Sequence, residues 1–312
     1  MIITVTLNPA VDKILRISNF QTGTMNRAVV LKKYAGGKGI NVSRALKSLS
    51  KDSLSLTILG GGAGKQIRDM ASEEGLSLRY VKIAENSRTC MSIISETSET
   101  VINETGPAVT ASEVADFKSL FTETVSAGDM IVISGSAAIG FGEDIFCDLI
   151  LMARQQQATV ILDTSGEPLK KALTASPHVI KINRDELMAI SGKSPPSDDR
   201  ILKELGKINK KGVFISIATD GDRAIHAASE GKLYTVMPPE VKAVNALGCG
   251  DSFTAGLALS LSEGKTTEEA LISGACAGSA SSMELGAGFL DKDKVDEFIG
   301  HITNPSEKKP GT

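Results

Sequence analysis

Short runs of β-branched and aliphatic residues alternate along the chain with longer stretches of mixed polarity. The runs IITVTL (2–7), LTILG (56–60), MIVIS (130–134), TVILD (159–163), VIKI (179–182) and VFISIA (213–218) are nearly continuous in apolar character. Parallel strands covered on both faces read this way, whereas half-solvated strands alternate. Between them lie helix-like stretches over 38–49, 65–75, 112–127, 143–157 and 198–211, and again over 251–263 and 267–284. Alternation of strand and helix on this scale predicts a doubly wound α/β sheet.

Two stretches break the rhythm. Residues 10–34 and 81–105 are rich in Thr, Val, Ile and Ser and alternate partly with period two, as in RTCMSIISET. They predict a separate small sheet, inserted in two parts and placed to act as a lid. The expected division is an α/β core from 1–9, 35–80 and 106–302, a β lid from 10–34 and 81–105, and a flexible polar tail, TNPSEKKPGT, over 303–312.

Composition narrows the function classes. The 312 residues, 41% hydrophobic and 23% charged, suffice for a full core without disulfides or metals. A net charge of −3 gives no global basic surface for nucleic acid, and 4% aromatics with no Trp leave no platform for base stacking. Cys90, Cys147, Cys249 and Cys276 form no C-x-x-C pair and none sits beside a His, so zinc and thiol-redox motifs are absent. Scattered single cysteines, a first strand starting at Ile2 and no apolar run of membrane-spanning length together predict a cytoplasmic protein with no membrane partner.

The chemistry concentrates where a strand or loop meets a helix. In LGCGDS, Asp251 has a plain reading as a helix N-cap. Gly248 and Gly250 on either side change the balance, because they let successive backbone N–H groups converge on one spot at a positive helix terminus. An anion hole with a carboxylate beside it has both parts that phosphoryl transfer requires. In AGGKGINVSRAL, Gly36, Gly37 and Gly39 surround Lys38, with Asn41 one turn on, which suits a polyhydroxyl or phosphate ligand. GGGAGKQ fails as a triphosphate loop, since Leu59 stands where the first glycine belongs and Gln66 where the magnesium-binding hydroxyl belongs. In KINRDEL, Asn183 and Glu186 have the spacing of a capping box, and equally could organise a hydrated Mg2+ at a strand end. ISIATDGDRA holds Gly221, which suits a hairpin turn or a nucleotide contact alike. No His falls within these motifs, so imidazole catalysis and a hydrolase triad are unsupported.

Taken together, TLNPAVDK, AGGKGINVSRAL, SRTC, ISGS, ILDTSGE, KINRDEL and GCGDSFTAG, in that order over about residues 2–300, resemble the ribokinase/PfkB sugar-kinase family. Within it the chain is similar to the phosphosugar branch, the 1-phosphofructokinases and tagatose-6-phosphate kinases. The resemblance implies a ribokinase-like three-layer α/β sandwich with a β lid, and ATP with Mg2+ as cofactors, with K+ as a further candidate. By it Asp251 is the catalytic base and Gly248, Cys249 and Gly250 are the anion hole, with Cys where Ala is usual. Asp12, Gly37 and Asn41 match contacts to sugar hydroxyls, with Gly36 beside them. Lys38 and Arg88 match groups near the sugar's existing phosphate, assisted by Arg27 and Ser136. Charge-assisted bonds from two cations are what a phosphorylated sugar requires and a plain sugar does not. Lys181, Ser216 and Gly221 fall at nucleotide positions, and Asn183 and Glu186 match residues that hold Mg2+ mostly through water. Lid sheets in the family pair in dimers, so a homodimer through the lid is implied as well. The expected activity is ATP-dependent phosphorylation of a ketohexose phosphate, fructose 1-phosphate first and tagatose 6-phosphate second. A sugar-phosphate sensor of weak activity is the alternative from another class, prompted by the departures SIA at 216–218 and the extra Asp222–Arg223.

Overall fold

A computed structural model describes residues 1–96, 98–192 and 197–303. Residues 304–312, most of the expected flexible tail, lie outside the described residues. The large sheet takes β1 (Ile2–Thr6), β4 (Leu54–Gly60), β5 (Ser77–Ile83), β8 (Met130–Ser134), β9 (Thr159–Asp163), β10 (Val179–Asn183), β11 (Ile215–Thr219), β12 (Ile225–Ser229) and β13 (Lys232–Val236). Their order across the sheet is β13-β12-β11-β10-β9-β8-β1-β4-β5. The pairs from β10–β11 across to β4–β5 are parallel, and β12 and β13 add an antiparallel hairpin at one edge.

The continuous apolar runs are explained by burial on both faces. Along β1, Ile3 and Val5 face one side, packing with Phe117, Phe121 and Phe146, while Ile2 faces the other with Val42, Leu46, Phe253 and Leu257. The first side is covered by α3 (Ala111–Thr124), α4 (Ile145–Gln155), α5 (Gly166–Ala172) and α7 (Asp198–Asn209). The second is covered by α1 (Lys38–Ser48), α8 (Cys249–Ser262) and α9 (Thr267–Ser282), with α10 (Lys292–Thr303) packed outside α9. These are the layers of a ribokinase-like α/β fold.

The second sheet has four strands in the order β3-β2-β6-β7, built from β2 (Ala10–Arg16), β3 (Val29–Gly36), β6 (Arg88–Ile94) and β7 (Glu99–Asn103). Strand β2 leaves β1 after only Leu7, Asn8 and Pro9, so the small sheet stands directly over the carboxyl ends of the central strands. Residues 81–83, expected in the small sheet, instead complete β5 at the edge of the large one, pairing Val81 with Ile58 and Ile83 with Gly60. The break in pattern comes later, at Ser87, whose N–H donates to the Gly60 carbonyl. GGGAGKQ runs from Gly60, the end of β4, into the start of α2 (Gly61–Glu73), where Lys65 pairs with Asp69 at 2.7 Å.

Candidate functional site

The carboxyl ends of β1, β8 and β9 lie level, since Val5 pairs with Ile133 and Ser134 with Asp163. From β1 the chain winds one way to β4 and the other to β8, which makes this the topological switch point where α/β ligands bind. A cavity of about 420 Å3 opens there. Its floor comes from Thr6, Ser134 and Thr164, its far wall from Asp12, Lys13, Arg88 and Cys90 of the small sheet, and its side from Lys38, Asn41, Gly248 and Asp251.

Asp251 is not the N-cap of α8. Gly248 holds that place at φ 73° and ψ 6°, and Asp251 is the third residue of the helix. Glycine is required at 248 twice over, for its positive φ and because a methyl group there would fall 2.5 Å from Ala287 Cα. The Asp251 carboxylate is buried, and its Oδ2 accepts a hydrogen bond from Asn41 Nδ2 at 2.9 Å. Burial raises its pKa to about 6, with Lys38 opposing and Asp163 reinforcing the rise. That places its proton affinity where a general base at neutral pH should have it.

Next to Asp251 lies a chain of charges. Asp163, at the end of β9, is fully buried and receives Lys38 Nζ on Oδ1 and Lys181 Nζ on Oδ2, each at 3.0 Å. Burial alone would push this carboxyl up; Lys181 and Lys38 outweigh it and hold the pKa at about 2. Lys181 Nζ lies 2.8 Å from where a side chain at Gly250 would begin, so that glycine leaves room for the ammonium at the first turn of α8. Lys38 thus stands at the α8 end of the cavity. Arg88 is across from it, its Nε donating to Asn8 O at 3.2 Å and Nη1 to Glu104 O at 3.1 Å.

Asp12 leans so close to β3 that any side chain at Gly36 would overlap its carboxylate. Burial raises Asp12 to about 7, opposed by Arg44 and Arg88. Gly37, at φ 111°, starts α1 and lines the cavity beside Asn41. Ser136 lies exposed at the cavity's mouth, whereas Arg27 is exposed in the segment before β3 and is not among the lining residues.

On the nucleotide side, Asn183 and Glu186 form a capping box at the start of α6 (Arg184–Ser191). Asn183 Oδ1 accepts from Glu186 N and Glu186 Oε2 accepts from Asn183 N, both at 2.8 Å. The capping reading therefore holds; Glu186's charge also reaches Lys38, raising its pKa after the larger effect of Asp163. Ser216 corrects an expectation. It is fully buried in β11, three positions back from the strand end, and its Oγ donates to Leu205 O at 3.0 Å, so it is not available to a nucleotide. Gly221 sits beyond β11 in an exposed turn at φ 62°.

Residues 3–293 match the pfkB family carbohydrate kinase family. The chain belongs to the pfkB family of carbohydrate kinases. It is 34% identical to tagatose-6-phosphate kinase of Staphylococcus epidermidis, over 97% of this chain and 98% of that one. It is 35% identical to 1-phosphofructokinase of Bacillus subtilis, over 97% of each. The crystal structure of phosphofructokinase-2 from Escherichia coli in complex with potassium superposes with a TM-score of 0.92 at 25% identity, covering 97% of this chain and 99% of that one.

In this pfkB kinase, sequence reasoning missed Asp163 as a site residue although ILDTSGE contained it. A lone acid ending an apolar strand is the signal, and only the strand register puts two lysines on it. Asn8, Cys90 and the buried Arg44 carried no local pattern. Among the described residues no group of three or more His, Cys, Asp or Glu could cage a metal, and no helix is long and apolar enough to cross a membrane.

Proposed function

We propose that the chain transfers the γ-phosphoryl group of ATP to the free primary hydroxyl of a ketohexose phosphate, fructose 1-phosphate first and tagatose 6-phosphate second. The observation that carries the reading is Asp251, a buried carboxylate opening into the cavity at the N-terminus of α8, with Lys38 and Lys181 held beside it. Asp251 takes the hydroxyl proton, the sugar oxygen bonds to the γ-phosphorus, and the bond to the β–γ bridging oxygen breaks to release ADP. Backbone N–H groups of Gly248, Cys249 and Gly250, the α8 terminus and the two ammonium groups face the charge that develops on the phosphoryl. This moves Lys38 from the sugar's own phosphate to the transferring one and leaves Arg88, on the small-sheet wall, for the sugar's phosphate. Asp12 and Asn41 hold hydroxyls, and the small sheet closes as a lid to exclude water.

Glu186 Oε2 is engaged in the capping box, while Oε1 remains to orient a hydrated Mg2+, an ion that keeps several waters and shares substrate phosphates. Bound with the nucleotide, Mg2+ would neutralise phosphate charge. Val29 and Val30 of β3 and Val101 and Ile102 of β7 are exposed on the two edge strands of the small sheet, and open edges of this kind suit pairing of two copies, which sedimentation would reveal as a dimer. The decisive experiment is ADP release with Mg·ATP on fructose 1-phosphate, fructose 6-phosphate, tagatose 6-phosphate, fructose and ribose. A dominant kcat/KM on one phosphorylated ketohexose names the substrate. Turnover of free sugars alone defeats the role of Arg88, and silence on all five with tight binding of one favours the sensor.

A further inference from the structure

The base has a support that lies outside the cavity lining. Arg44, on α1 one turn after Asn41, is buried, and its guanidinium packs against both rings of the edge-to-face pair Tyr34 and Phe289, 5.0 and 4.8 Å from their centres. Its donors are nearly all used. Nη1 donates to Asn41 Oδ1 at 2.9 Å and to Ala287 O at 3.0 Å, Nη2 to Ala35 O at 2.5 Å, and Nε to Glu74 Oε2 at 2.5 Å. A guanidinium has no acceptor. The Asn41 side chain must therefore turn its oxygen to Arg44, which leaves its NH2 facing Asp251 Oδ2. The flipped amide would set N–H against N–H on one side and a carbonyl oxygen against a carboxylate on the other. Hydrogen-bond chemistry alone thus decides the orientation. The second arm, on Ala287, fixes the residue that packs against Gly248 at the start of the anion hole.

We infer that Arg44 is a positioning residue for phosphoryl transfer, holding the Asn41 amide in the one orientation that donates to the base and bracing the Ala287 wall against Gly248. The inference rests on Asp251 being the base. The titratable groups facing Asp251 are Lys38 of α1, Asp163 of β9, Lys181 of β10, Asp12 of β2, Tyr34 of β3 and Cys249 of α8. The charges that act most on it are Lys38, Asp163 and Lys181, whereas the charge of Arg44 is felt at Asp12. Arg44 reaches the base through the amide it orients, and that separates its role from a simple charge effect. The Asn41 bond favours the ionised carboxylate, so losing it raises the pH at which the base loads a proton.

The test is a double-mutant cycle with pH profiles of kcat on the best substrate of the panel, using Arg44→Lys, Asn41→Ala, the double variant and Asp251→Asn. Arg44→Lys keeps the charge and cannot make the fork. It should lower kcat by about ten- to a hundredfold, the worth of one hydrogen bond to a charged group, with the acid limb moved to higher pH and ATP binding unchanged. The double variant should fall well short of the product of the two single losses, since both remove the contact that orients the amide, and only the Ala287 arm is lost in addition. Losses that multiply in the double variant, or an unmoved acid limb alongside a lowered melting temperature, would reduce Arg44 to a structural role and overturn the inference. Should Arg44→Lys fail to fold, Asn41→Ala must by itself move the acid limb upward, and an unmoved limb has the same consequence. Wild-type turnover by Asp251→Asn would sink the base reading and this inference with it. An inactive Asp251→Asn together with multiplicative losses would sink this inference alone.

Discussion

Replacing Asp163 with asparagine removes one charge and almost no volume, at a point where two lysines converge. Asp163 is 1% exposed and Lys181 6%, while the Lys38 side chain is 42% exposed and partly screened by water. The stabilising weight therefore falls on the Lys181 pair. A carboxyl held at about 2 against an ordinary 3.8 favours the folded state by about 2 kcal/mol at neutral pH. Stranding a buried ammonium adds to that, toward the roughly 3–5 kcal/mol seen when one partner of a buried pair is removed. Asp163→Asn should thus cost about 3 kcal/mol and lower Tm by roughly 6 °C in a chain of this size. Urea unfolding at pH 7 would measure it. The sign with pH is fixed by the depressed pKa, since the contribution is present above about pH 4 and disappears as pH falls toward 2. Wild-type and variant curves should therefore converge in acid. Equal stabilities at pH 7, or a difference that persists undiminished at pH 2, would refute the ion triad as a source of stability. Turnover gives a second check. Asp163 raises the pKa of Asp251, so its neutral replacement should move the acid limb of kcat to lower pH, opposite to the Arg44 variant.

Asp251→Asn should lower kcat at least a hundredfold, the lower end for general-base catalysis, while leaving ATP binding intact by calorimetry. In the wild type, kcat should fall below pH of about 6 as Asp251 takes up a proton, and a rate flat from pH 5 to 8 would contradict the raised pKa. Cys249→Ala should keep turnover within about threefold, because the proposed anion hole would use the backbone N–H and burial pushes the thiol to about 11, too high for it to act as a thiolate. The same value predicts slow labelling of Cys249 by iodoacetamide at pH 7 relative to an unfolded control. Gly248→Ala should lose about 2 kcal/mol or more from its positive φ and the collision with Ala287, and lower kcat further than Cys249→Ala does.

The sheet's interior was legible because burial on both faces leaves a mark in composition. MIVIS and TVILD match β8 and β9 residue for residue. The hairpin of β12 and β13 and the edge strand β5 left no such mark, since IHAAS is small and KLYTV and SLRYVKI face water on one side. Local backbone chemistry was legible too. Asn183 and Glu186 have the spacing of a capping box and form one, and the glycines around Asp251 do start a helix. Contacts across long sequence separations were not. Asp163 meets Lys38 from 125 residues away, and Asn41 meets Asp251 from 210. Ser216 lost its expected access because strand register, not its neighbours in sequence, sets how far it lies from the strand end. Lys38 is held at Asp163, a contact that no local pattern around AGGKGINVSRAL announces. Residue types, at spacings that local backbone physics rewards, marked the candidates for the chemistry along the chain. The tertiary structure alone decided which of them face one another, because electrostatics and hydrogen bonding act over a few ångströms of space and not along the chain.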